Sequence, residues 1–80
     1  MRVNLLGVQE LNFTSSSSGE IIKGLNLFVA FSDENVKMGY RTEKFFVREN
    51  IPVPKVEIND EIELVFNHRG RIERIEKVDE

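Results

Sequence analysis

The amino-acid sequence predicts a single all-β domain over residues 1–80, built as a small five-stranded barrel. Apolar and polar residues alternate in the middle of the chain, most clearly over residues 25–31, where every second position is leucine, valine or phenylalanine. Short turn-forming segments separate the apolar runs, and the phase of the alternation changes within the first run. Closing such a sheet into a barrel removes edge strands that would otherwise template aggregation. A chain of 80 residues has room for one core only.

The first predicted strand runs from Arg2 to Phe13. Its alternation changes phase beside Gly7, which is typical of a bulge or a barrel corner. After this phase change, the alternation predicts that Leu11 and Phe13 lie on the same face as the apolar residues at the start of the strand. A second strand is predicted over residues 21–31.

The turn between these two strands is the serine-rich segment 14–20. It has no apolar side chain to bury, so it predicts a flexible hairpin tip. Within the second strand, Gly24 indicates a further bend. The polar loop Ser32–Arg41 then leads into a third strand, in which Phe45 and Val47 share one face.

The second half of the chain predicts two more strands. Ile51–Pro54 reads as an extended connector, because its two prolines cannot donate hydrogen bonds to a sheet. Asn59–Asp60 is typical of a turn, and a fourth strand follows over 61–66. A tight hairpin at 67–70 leads into the segment 71–78, where apolar residues recur at every third position. The short hairpin favours a fifth strand with one bulge, and a carboxyl-terminal helix is the alternative.

Composition and charge narrow the classes of function. The chain has no cysteine, no apolar run long enough to span a bilayer and no signal-peptide pattern, which together predict a soluble cytoplasmic protein. The only histidine, His68, lies in a predicted turn without a partner for nucleophilic catalysis. No metal-ligand spacing or phosphate-binding loop occurs. We therefore expect a protein that is not an enzyme and that uses neither a cofactor nor a metal.

Aromatic and basic residues lie close together in the second and third strands. If the aliphatic face is the core, Phe28 and Phe46 point outward among lysines and arginines. Aromatic rings that stack on bases, with cations that follow the phosphates, are how proteins hold single-stranded nucleic acid. The alternative is that one or both rings belong to the core. The candidate nucleic-acid-binding residues are Lys23, Phe28, Tyr40, Arg41, Lys44, Phe46 and Arg48.

The charge of the whole chain opposes a general attraction to nucleic acid, since the net charge is −3. Its distribution is uneven. Residues 37–48 carry four basic side chains and one acidic side chain, whereas residues 49–80 carry five basic and nine acidic ones. A basic patch beside an acidic carboxyl-terminal part is one interpretation, and an ordinary solvated face is the other.

Three segments, in this order, resemble a known group of small proteins. They are F-T-S-S-S-S-G-E-I-I-K-G-L-N-L-F-V, G-Y-R-T-E-K-F-F-V and I-N-D-E-I-E-L-V-F-N-H-R-G-R-I. The chain is similar to proteins of phages, plasmids and conjugative elements of Gram-positive bacteria, which in turn resemble the gene V type single-stranded DNA-binding proteins of filamentous phage. The similarity covers nearly the whole chain as a pattern of hairpins and spacing.

This resemblance implies an OB-like five-stranded barrel that binds single-stranded DNA without sequence preference and often works as a dimer. The family's aromatic and basic positions match best at Tyr40, Arg41, Lys44 and Phe46, with Lys23 and Phe28 on the neighbouring strand. The competing hypothesis is an SH3-like adaptor whose aromatic and basic face meets an acidic or proline-rich protein partner. The two hypotheses differ in whether an oligonucleotide binds with a steep dependence on salt. DNA against RNA, and monomer against homodimer, stay open from the sequence.

Overall fold

The computed structural model describes residues 1–78 and contains five β-strands in one antiparallel sheet. The strands are β1 (Arg2–Thr14), β2 (Ile21–Phe31), β3 (Arg41–Arg48), β4 (Glu61–Phe66) and β5 (Ile72–Lys77). The all-β prediction is confirmed, and the ambiguous last segment forms a strand, whose pairing with β4 carries a one-residue irregularity. None of the described residues forms a helix, so none of them belongs to a helix that could cross a membrane.

The strands lie in the order β3-β2-β1-β4-β5. Three consecutive strands pair as hairpins, and β4 returns beside β1, which is a Greek-key arrangement. The long strand β1 reaches both neighbours, because its first residues, Arg2–Asn4, pair with β4 while Asn4–Thr14 pair with β2. Within residues 1–78 the edge strands β3 and β5 share no ladder of hydrogen bonds, so the sheet is not closed. The predicted barrel is therefore not confirmed, although the five-stranded sheet is.

The core forms on one face of the sheet from the alternating aliphatic residues. Leu27, Val29, Val47 and Leu64 are buried, as the alternation predicts. The other buried members are Val3, Leu5, Ile62, Ile72 and Ile75. Phe45 and Phe66 are half-buried against this core, where their ring centroids lie 5.5 Å apart in an edge-to-face arrangement. Burial on this face fixes the opposite face of β2 and β3 as the exposed one.

A bulge in β1 decides which of its residues face solvent. The pairing with β2 shifts by one residue between Leu5 and Gly7, so Leu6 is the extra residue. One extra residue moves every later side chain to the other face. The expectation that Leu11 and Phe13 return to the core face is wrong for this reason. They share the outer face of the sheet, and the side chain of Phe13 is 48% exposed.

The turns follow the local chemistry of their residues. The serine-rich segment forms a hairpin turn in which the Ser15 N–H donates to the Glu20 carbonyl at 2.7 Å. Residues 49–60 are irregular and contain no helix, as the prolines predict. Asn59 takes a φ of 76° in the predicted turn before β4, where the Asp60 carboxylate accepts the Glu57 N–H at 2.8 Å. Positive φ is tolerated by asparagine better than by most residues.

Candidate nucleic-acid interface

Phe28 and Phe46 lie on the outer face of β2 and β3, as the alternation predicts. Their side chains are 38% and 36% exposed, so both rings reach solvent and neither is a core residue. Phe28 is paired across the strands with Lys44, and Phe46 is paired with Asn26. Because cross-strand partners point to the same face, all four side chains belong to one surface. We call this surface, over β2 and β3, the aromatic face.

Each ring of the aromatic face lies against a glycine. A Cβ atom added to Gly7 would lie 3.6 Å from Cδ2 of Phe28, which is ordinary van der Waals contact. A Cβ atom added to Gly24 would lie 2.6 Å from Cζ of Phe46, which is too close for any real side chain. At Gly24 the missing side chain lets the ring of Phe46 approach the backbone of the neighbouring strand, whereas at Gly7 a Cβ would fit beside Phe28. Each ring is thus supported from below while part of its surface stays open to solvent.

A buried amide lies beside Phe46 on the aromatic face. Asn26 is 7% exposed, although it lies in the outer-facing phase of β2. Its Nδ2 donates to Oε1 of Gln9 on β1 at 3.3 Å, and Phe46 is its partner on β3. This hydrogen bond satisfies a polar group that would be costly to bury alone. The hydrogen bond links β1 to β2 in the row that Asn26 shares with Phe46.

Two cations accompany the rings. Lys44 lies directly opposite Phe28, and Arg48 lies opposite Gly24, the glycine against which the ring of Phe46 packs. Neither cation forms an ion pair with any other of residues 1–78. Alternation along β3 puts both on the same face as Phe46. Lys44 and Arg48 are therefore the predicted basic residues that the fold brings to the rings.

Arg41 and Tyr40 take a different position from the other predicted residues. Arg41 contacts the Asp33 carboxylate at 3.2 Å and the Glu43 carboxylate at 2.8 Å. Hydrogen bonds from Arg41 to Asp33 and then to Glu43 raise the pKa of the guanidinium, so its charge is compensated locally. By strand phase it also lies on the face opposite Phe46. Tyr40 precedes β3 and is 66% exposed.

Lys23, the remaining predicted residue, is exposed on β2 opposite Asn12. It borders a separate groove between the β1–β2 hairpin and the irregular connector, with an acidic residue on each side of that groove, Glu10 and Glu49. The nearby carboxylates reduce the attraction of Lys23 for an anion. The fold thus separates Lys23 from the pair of rings, although Arg48 lines this groove as well.

A groove of about 490 Å³ continues the aromatic face toward the β4–β5 hairpin. Phe46 and Arg48 contribute from β3, Phe13 and Ile22 from the strand ends next to the serine turn of the β1–β2 hairpin, and Arg71 from the turn before β5. We call it the seam groove, because it is lined by residues from the two edges of the open sheet.

Only Phe46 and Arg48 of the seam groove are predicted as site residues, and among those missed are Phe13, Ile22 and Arg71. One signal in the sequence could have found Phe13 and Ile22. Phe13 and Ile22 flank the serine turn symmetrically and are cross-strand partners, so a hairpin register drawn from the turn pairs them. Arg71 has no such signal, since only the packing of the β4–β5 hairpin brings it near β3.

No group of three or more histidine, cysteine or acidic residues that could hold a metal ion occurs among residues 1–78. The aromatic face and the seam groove combine exposed rings with cations that have no ion-pair partners among residues 1–78. Comparison with protein-family models, with curated proteins and with solved structures finds no match for this chain.

Proposed function

We propose that this protein binds single-stranded DNA, without sequence preference, on the aromatic face. One observation carries the proposal: Phe28 and Phe46 are half-exposed rings held against glycine, with Lys44 and Arg48 beside them on the same surface. Bases of any sequence stack on aromatic rings, and cations follow the phosphate backbone. Asn26, the buried cross-strand partner of Phe46, contributes an uncharged hydrogen bond to Gln9 on this surface.

The order of the strands supports the same proposal. A five-stranded, partly open Greek-key sheet is the arrangement of the OB fold, which binds oligonucleotides on the face of its second and third strands. The loops that flank this face in OB folds are the first-to-second and fourth-to-fifth connections. Here the strand ends next to the first of these connections and residues of the second line the seam groove. The resemblance to phage and mobile-element proteins extends the proposal to DNA replication or transfer in the cytoplasm, with a homodimer as the working form.

The charge balance bears on the strength of binding. With a net charge of −3, the whole molecule repels a polyanion, so attraction depends on the few cations of the aromatic face. Arg41 adds little to it because Asp33 and Glu43 already compensate its charge. We therefore expect stacking to supply most of the affinity, and few phosphates to be neutralised.

Titration of a fluorescently labelled oligo-dT tests the proposal. Phe28→Ala and Phe46→Ala are each expected to weaken binding by about 1–3 kcal/mol, the usual contribution of a base–aromatic contact. Phe46→Leu separates stacking from folding, because it keeps apolar volume over Gly24 and removes the ring. Ile58→Ala is the matched control, since Ile58 is an exposed apolar residue on the connector. It should leave the affinity unchanged.

The dependence of binding on salt gives the second measurement. Lys44→Gln should reduce the slope of log K against log salt by about 0.7, the value for one phosphate of a single strand. Arg41→Gln should change it less. Wild-type protein that fails to bind oligo-dT at low salt would contradict the proposal. So would ring variants that bind as wild type does.

One feature favours a second candidate, a protein-interaction module. The edge strand β3 pairs only with β2 in the described part of the chain, so its outer backbone groups can accept an added strand from a protein partner. This candidate predicts no affinity for oligo-dT. The protein-interaction module becomes the preferred candidate if the wild-type protein does not bind oligo-dT.

A further inference from the structure

Arg48 and Arg71 line the seam groove from opposite edges of the sheet. Arg48 is the last residue of β3, and Arg71 immediately precedes β5. Neither forms an ion pair with another of residues 1–78. Two positive charges on one groove repel each other. An anion bound between them would relieve this repulsion, so the groove favours an anionic ligand.

The position of Arg71 is fixed by its turn. Oδ1 of Asn67 accepts the backbone N–H groups of Arg69 at 2.9 Å and of Arg71 at 3.1 Å. The Asn67 N–H donates to the Arg71 carbonyl at 2.8 Å, and Gly70 supplies the positive φ of 76° that the turn requires. The backbone of Arg71 is therefore held at the edge of the groove, so only its side chain has to be ordered when it binds a ligand.

The remaining lining of the groove is mostly apolar. Phe46, Ile51 and Ile72 contribute to it alongside the arginines. Charged hydrogen bonds are stronger beside apolar side chains than in open water. A guanidinium also offers paired donors that match the oxygens of a phosphate. The lining thus suits a ligand that has a phosphate next to a flat apolar body.

We propose that Arg48 and Arg71 clamp one backbone phosphate of the bound strand across the opening between β3 and β5, next to the base that stacks on Phe46. This inference rests on the proposed function and adds a phosphate subsite to it. The clamp adds Arg71, from the β4–β5 hairpin, to an interface otherwise formed by β2 and β3.

Salt-dependent titration of a labelled oligo-dT of about 12 nucleotides tests the clamp. The variants are Arg71→Gln, Arg48→Gln and the double variant, with Arg69→Gln as the matched control from the same turn. Arg71→Gln should weaken binding about tenfold at low salt, and Arg69→Gln less than twofold, because Arg69 does not line the groove. Circular dichroism and thermal melting establish that every variant is folded.

The double variant distinguishes a shared phosphate from two separate ones. If both arginines hold one phosphate, the double variant loses a slope of about 0.7 in log K against log salt, whereas two separate phosphates would cost about 1.4. Its loss of affinity should also be smaller than the product of the two single losses.

A loss near 1.4, or an Arg71→Gln variant that matches Arg69→Gln, overturns the clamp. If the clamp fails while Phe46→Leu still weakens binding, the proposed function stands without it. If wild-type protein does not bind, both fail together.

Discussion

Gly24 is the residue whose substitution tests the architecture of the aromatic face most directly. A Cβ atom at this position would overlap the carbonyl oxygen of Val47 and would lie 2.6 Å from Cζ and 2.8 Å from Cε2 of Phe46. The ring can move, but the Val47 carbonyl belongs to β3 and moves only with that strand. Gly24 does not have a positive φ, so the cost of alanine here comes from contact and not from backbone conformation.

The expected cost of Gly24→Ala lies near the upper end for overpacking a well-packed site, about 3 kcal/mol. In a domain of this size, such a loss lowers Tm by roughly 12–24 °C. Gly7→Ala is the matched control, because a Cβ there meets Phe28 at ordinary van der Waals distance. We expect its stability to stay within about 1 kcal/mol of wild type, with a gain from reduced freedom of the unfolded chain.

Thermal and urea unfolding, followed by circular dichroism, measure both variants. The double variant Gly24→Ala with Phe46→Ala identifies the obstacle. Because the Val47 carbonyl remains in place, removing the ring should restore little of the lost stability. A Gly24→Ala protein that melts within a few degrees of Gly7→Ala would refute the close packing of β2 on β3. Full rescue by the double variant would show that the ring was the only obstacle.

Two further predictions concern the core and the loop before β3. Leu64→Ala should destabilise the protein by about 2–5 kcal/mol, because Leu64 is fully buried, whereas Leu6→Ala at the exposed bulge should cost far less; urea unfolding compares them. The backbone N–H of Asn35, followed by Arg41, holds the pKa of Asp33 below its ordinary value. The stability that Asp33 contributes is therefore present above its ordinary pKa, near pH 4, and is lost as pH falls through the lowered value. Tm measured from about pH 5 to pH 2 should fall less steeply in Asp33→Asn than in wild type.

The sequence predicts the strands well because the alternation of apolar and polar residues that identifies a strand lies within that strand. Strict alternation over residues 25–31 fixes both the existence of β2 and the face that it buries. The spacing of three in the last segment is ambiguous by itself. It arises where the β4–β5 pairing shifts register near Phe66, as expected for a strand with one irregularity.

The sequence predicts the candidate site less completely because part of it depends on contacts between distant segments. The bulge at Leu6 turns Phe13 to the outer face, although simple alternation puts it with the core. The charge of Arg41 looks available in the sequence, but Asp33, eight residues earlier, folds back to pair with it. Arg71 enters the groove only because the β4–β5 hairpin packs near β3. No local pattern predicts the positions of Arg41 and Arg71.

The glycines of the aromatic face help to distinguish a binding surface from ordinary cover. Glycine in a strand costs about 0.5–1 kcal/mol relative to alanine. At position 24 the Val47 carbonyl leaves no room for a side chain, so packing alone explains the glycine. Gly24 is therefore weak evidence for a function. At Gly7 there is room for a Cβ, and a larger side chain there would cover more of Phe28. A surface selected only for stability would fill that space, whereas a surface that stacks on bases needs a flat, accessible ring. Gly7 leaves Phe28 accessible, as the proposed function requires, and it also lies beside the β1 bulge, where glycine is common.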